Sequence, residues 1–175
     1  LQYIPWGGYE VVGKDAIPTS YSINGLSVIY NSNTGHYLAS FIDEGFIIGL
    51  DHVDGALKHY NRHGVLMNNR LFNTNSESDL LVISVATTGN ASIGISHTTY
   101  TTGGYFVAYI IKDSDNIYHL RGQILDAYLR NASTSEIYID SMTATTTKIM
   151  DVHVVYNSVT AKFIVSWLTQ DGSNN

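Results

Sequence analysis

Three short stretches of the chain share one alternation of apolar and small side chains. Residues 36–41 read HYLASF, residues 104–109 read GYFVAY and residues 162–167 read KFIVSW. Side chains alternate between the two faces of a β-strand. From the second residue on, one face receives an aromatic, a small or branched aliphatic, then an aromatic. The other face receives a large apolar residue followed by Ser or Ala. Both faces are therefore apolar or small, the pattern of a strand covered by sheets on both sides. Ser40, Ala108 and Ser166 would let a neighbouring sheet approach closely, and Trp167 is expected in the core.

Each stretch is preceded by turn residues and a shorter candidate strand, at Ser27–Tyr30, Ile93–Thr98 and Val152–Tyr156. The turns are Asn31-Ser32-Asn33-Thr34-Gly35, Thr101-Thr102-Gly103-Gly104 and Asn157-Ser158-Val159-Thr160. Two strands joined by such residues form a β-hairpin. The first and third hairpins are nearly one phrase written twice: SVIYNSNTGHYLASF at 27–41 and HVVYNSVTAKFIVSW at 153–167, 126 positions apart.

Two of the hairpins are followed by a second pair of candidate strands. After the middle hairpin these are Tyr118–Asp126 and Glu136–Asp140, with a turn near Asn131. After the first they are roughly Leu57–Arg62 and Arg70–Asn73, with a turn near Gly64. The third hairpin has no such sequel. Residues 1–20, LQYIPWGGYEVVGKDAIPTS, instead read as strand, Gly-Gly turn, strand, with Gln2 in the place of Gln123. The expectation is a single all-β repeat domain over 1–175 made of three four-stranded units. Residues 1–22 supply a half repeat, 23–90 the first repeat, 91–148 the second, and 149–175 the half repeat that the N-terminal segment completes.

The phrase YNSxxxxFIVSW, with RGQILDA at 121–127, resembles the bacterial and archaeal β-propeller repeats built on YNS…YLVVW and GQ-LDA segments. The likeness covers essentially the whole chain as two full copies and one split copy. HYNRHGVL departs from it in the second half of the first copy. The resemblance implies four-stranded blades, with a closing blade shared between the two ends of the chain. Propellers have four to eight blades and this chain supplies three, which implies a ring of two chains, a head-to-tail fibre, or a piece of a longer array. A β-trefoil and a β-sandwich are the alternatives.

Composition narrows the function classes. Apolar residues make up 44% of the chain and charged residues 14%, and 13 residues are Tyr. That charge content is well below the roughly 25% of an average soluble domain. Thr, Ser, Asn and Gly carry the polar load, a turn-rich composition that favours strands over helices. The net charge is −6 and the Lys and Arg residues are scattered, so the basic footprint of a nucleic-acid binder is missing. With no cysteine, disulfides and thiolate metal sites are excluded. No apolar run approaches the roughly 20 residues of a membrane-spanning helix. The start at Leu1 is read as a processed or partial chain. Asn90-Ala91-Ser92 and Asn131-Ala132-Ser133 match the N-glycosylation pattern, as an Asn- and Ser-rich chain does by chance.

Candidate chemistry is sparse. Asp43, Asp113, Asp115 and Asp171 sit in comparable loops after the hairpins, where several oxygen ligands on a turn could hold calcium. An ordinary Asx turn explains the same residues. The seven His residues include His52, His59 and His63 in one region, without the spacing of a metal site, and read as surface histidines. No nucleophile elbow or phosphate loop is present, and no pair of acids is singled out. Trp6, Tyr9, Tyr60, Tyr100, Tyr118 and Tyr128 lie near expected turns and could stack against a sugar ring. The bland reading makes them packing residues. The sequence points to a non-enzymatic extracellular or cell-surface module, structural or adhesive, that assembles with copies of itself. A carbohydrate-binding lectin-like propeller is the alternative and a glycoside hydrolase a more distant one. No cofactor is expected beyond calcium as a candidate ion. The expected partners are further copies of the chain or a glycan, not nucleic acid.

Overall fold

The computed structural model describes residues 23–44, 53–72, 78–89, 92–96, 99–132, 136–143 and 147–171. Every regular element among them is a strand: β1 (Ile23–Asn31), β2 (His36–Glu44), β3 (Val53–Tyr60), β4 (Leu66–Phe72), β5 (Ser78–Thr87), β6 (Ser92–Ser96), β7 (Thr99–Thr102), β8 (Tyr105–Asp113), β9 (Ile117–Leu125), β10 (Ile137–Thr143), β11 (Thr147–Asn157) and β12 (Lys162–Asp171). All pairings are antiparallel. The first sheet has the order β1-β2-β3-β4 and the second β5-β8-β9-β10, while β11 and β12 form a third sheet and β6 and β7 a small hairpin. The expected N-terminal strands over residues 1–20 lie outside the described residues.

One expected strand pairing is different. β8 pairs with β5, not with a strand over Ile93–Thr98. Residues 92–96 and 99–102 pair with each other as β6 and β7, a hairpin set into the connection between β5 and β8. The middle copy is therefore the same hairpin as the other two, with its tight turn replaced by a longer excursion. Ser78–Thr87, placed by sequence within the first repeat, belongs to the second sheet.

Register makes the three hairpins equivalent. Val28 faces Ala39, Val85 faces Val107, and Val154 faces Val165. Ser27, Ser84 and His153 face Ser40, Ala108 and Ser166. The first strand of each hairpin also carries an irregularity near the same place, between Asn24 and Ser27, Leu80 and Val82, and Ile149 and Asp151. A bulge inserts one residue and so switches which side chains point inward. This explains why the residues of β5 buried toward the first sheet run Leu80, Ile83, Val85, and those of β11 buried toward the second run Ile149, Val152, Val154, rather than in strict alternation.

The second sheet lies between the other two. Tyr105, Val107, Tyr109 and Ile111 of β8 join Leu38, Ile42 and Leu57 of the first sheet in one core. Phe106, Ala108 and Ile110 of the same strand join Ile149, Val152 and Val154 of the third sheet in another. The two-sided apolar pattern of residues 105–110 thus has the cause the sequence suggested. Ser84 Oγ accepts a hydrogen bond from Val154 N at 3.1 Å across the second contact. The first and second sheets are also tied through β4, where Arg70 donates to Leu129 O at 2.9 Å and Asn68 to Tyr128 O at 2.8 Å.

Candidate functional site

The YNS phrase is a turn device. Asn31 Oδ1 accepts from Asn33 N at 3.1 Å, and Asn157 Oδ1 accepts from Val159 N at 2.9 Å and Thr160 N at 3.1 Å. Each side chain therefore takes up amides of the turn that follows it. Asn31 is buried and does more: its Nδ2 donates to Gly103 O at 2.6 Å and to Tyr105 Oη at 3.0 Å, joining the first hairpin to the second sheet. Beside it, His36 Nδ1 and His59 Nε2 are 3.1 Å apart, and the His59 ring meets Tyr105 edge-on. Burial, with His36 as the second cause, lowers the pKa of His59 to about 4. His59 is thus a core residue and not a surface histidine as expected.

Asp113 caps the turn of its acidic loop. Asp113 Oδ1 accepts from Asp115 N at 3.0 Å and Ile117 N at 2.8 Å, and Oδ2 lies 2.8 Å from His119 Nε2. Asp115 is exposed, Asp43 lies near the end of β2 and Asp171 ends β12. Among the described residues no three His, Asp or Glu side chains gather into a group that could hold a metal ion.

Of the aromatic candidates, Tyr60, Tyr118 and Tyr128 have described side chains. Trp6 and Tyr9 lie outside the described residues, and Tyr100 is in β7. Tyr60 ends β3 and Tyr118 stands near the start of β9, each beside a turn as expected, and both are buried. Tyr128 is exposed, with the Arg130 guanidinium 5.4 Å from the centre of its ring. Elsewhere, Tyr109 donates its hydroxyl to Glu136, which also holds Arg121 at 2.6 Å. Tyr109 itself is sealed in the core. Burial and then the Glu136 contact raise its pKa, so the phenol stays protonated.

The surface that stands out is the third sheet. β2 and β8 are each paired on both sides, by β1 and β3 and by β5 and β9. β12, their counterpart, pairs with β11 and, among the described residues, with no other strand. Trp167, expected in the core, is 40% exposed, whereas its counterparts Phe41 and Tyr109 are 7% and 1% exposed. The repeated pattern marks inner strands at β2 and β8, but among the described residues no strand pairs with the other side of β12. Ile164 and Leu168, on the other face of β12, are also exposed.

Neither a scan of protein-family models nor searches of curated proteins and of solved structures found a match to this chain.

Proposed function

We propose that the chain is a structural or adhesive module of an extracellular or cell-surface protein, without catalytic activity, that assembles with copies of itself. In this reading each sheet is one blade of a propeller-type array, and the third is completed by a strand pair that residues 1–22 supply, in the same copy or a neighbouring one. One observation carries the reading: β12 presents an unpaired, apolar edge among the described residues, while the equivalent strands of the other two sheets are flanked on both sides. An open edge of this kind is a template for strand addition, and soluble proteins normally blunt it with charge or proline. β12 carries Trp167 and Leu168 in its middle and has no proline.

Sedimentation velocity over a wide concentration range, combined with amide hydrogen exchange, tests this. The expected result is concentration-dependent growth beyond the monomer. A species that stays monomeric at every concentration, with β12 amides fully protected, would remove the argument for assembly.

A further inference from the structure

The three sheets follow one another in a fixed sense. Along the middle strand of each hairpin, one face looks back and the other looks forward. Tyr105, Val107 and Tyr109 of the second sheet look back at the first, while Leu38 and Ile42 of the first look forward at the second. Phe106, Ala108 and Ile110 then look forward at the third sheet, where Phe163 and Val165 look back. Leading each contact from behind is the first strand of the later sheet. Ile83 and Val85 of β5 are buried against the first sheet, and Val152 and Val154 of β11 against the second.

Among the described residues, both ends of this series carry the same surfaces without a neighbour. At the front, Leu26 and Val28 of β1 hold the places of Ile83 and Val85 and of Val152 and Val154. Those four are at most 7% exposed, but Leu26 is 63% and Val28 42% exposed. Tyr30 extends the same strip and is exposed as well, whereas Ala39 and Phe41 of the adjoining strand are already buried within the chain. At the back, Ile164, Ser166 and Leu168 hold the places of Leu38, Ser40 and Ile42 and of Phe106, Ala108 and Ile110. The last six are buried; Ile164 is 50% and Leu168 62% exposed.

We propose that the β1 strip of one copy docks on the forward face of β12 in a second copy, repeating between chains the contact that the chain makes twice within itself. The occupant is a second copy because β1 carries branched aliphatic residues at the places of the two strands that fill this role internally, and Val28 has the pairing register of Val85 and Val154. The contact is heterologous: different surfaces meet, so it closes into a ring, of two chains or more, or runs on as a filament. The proposal rests on the self-assembly reading above and assigns its surfaces.

Its test is a mixing experiment on the 175-residue chain. Val28→Glu blocks the front surface and Leu168→Glu the back. Both positions are exposed in the single chain, so each variant is expected to keep the wild-type circular dichroism and melting temperature. A carboxylate buried in the contact without a partner is strongly disfavoured or forces the surfaces apart. Each variant alone is therefore expected to lose the association that the wild type shows. An equimolar mixture is expected to recover a species of two chains and no larger, because each variant keeps the one surface its partner needs. Recovery also shows that both variants are folded. If the wild type associates and both variants associate equally well, or if the mixture recovers nothing, this contact is wrong while self-assembly stands. A wild type that remains monomeric overturns both.

Discussion

Tyr109 of β8 and Trp167 of β12 occupy the same place in two copies of one hairpin, yet Tyr109 is 1% exposed and Trp167 40%. Tyr109 faces Ile83 across one flank and Arg121 across the other. Trp167 faces Val152 and, among the described residues, has no second flank. The difference lies in the neighbours, since the two strands have the same alternation.

That contrast predicts unequal effects of truncation. Tyr109→Ala should destabilise the monomer by about 3–5 kcal/mol, the usual cost of removing a buried aromatic. Trp167→Ala should cost less than about 2 kcal/mol, since much of the ring is already in water. Urea denaturation under dilute conditions measures both. Equal losses would mean that Trp167 is covered in solution.

The first and third hairpin turns differ at one decisive position. Gly35 has φ of +71° and its counterpart Ala161 has φ of +53°. An L side chain pays about 1–2 kcal/mol in this left-handed region. Ala161→Gly should therefore stabilise the chain by up to about 1 kcal/mol, and Gly35→Ala should destabilise it by about 1 kcal/mol. Opposite shifts in melting temperature are the expected readout, and shifts of the same sign would contradict the equivalence of the turns.

Gly122 meets a different constraint. A Cβ at this position would lie 2.4 Å from Cζ of Phe106, whose ring stacks on Phe163 at 5.1 Å. Gly122→Ala should therefore cost about 1–3 kcal/mol through overpacking. It should also disturb the contact between the second and third sheets, seen as altered NMR shifts at Phe163. A neutral substitution would mean that the Phe106 ring has room to move.

Acid should weaken the fold through His59. Its pKa is about 4 when folded and 6.5 by the reference value. Between these values the unfolded chain binds a proton that the folded chain refuses. The contribution is thus whole above pH 6.5 and is lost as pH falls toward 4, by up to about 3 kcal/mol. Stability measured against pH should fall over this window, and His59→Gln should flatten that limb of the curve. An unchanged limb would assign the acid sensitivity to carboxylates instead.

By itself the sequence determined what depends on nearest neighbours along the chain. Alternation at 37–41, 105–109 and 163–167 marked three equivalent strands, because side-chain direction in a strand has a period of two. The Asn31 and Asn157 turns were legible because an Asx side chain bonds to amides only a few residues away. Tertiary structure decided what depends on residues far apart. β5 rather than residues 93–98 became the partner of β8, since strand choice is settled by which apolar face can be buried, and the β6–β7 hairpin hid the true spacing. Bulges reset the inward positions of β5 and β11, so strict alternation from Val85 or Val154 could not find Leu80 or Ile149. His59 and Tyr60 were hidden by a polar-looking HYN segment, whose burial comes from packing on Tyr105 and within the first sheet. The exposure of Trp167 is the clearest case. Its strand has the pattern of a core, but a core residue is buried only where other strands come to cover it.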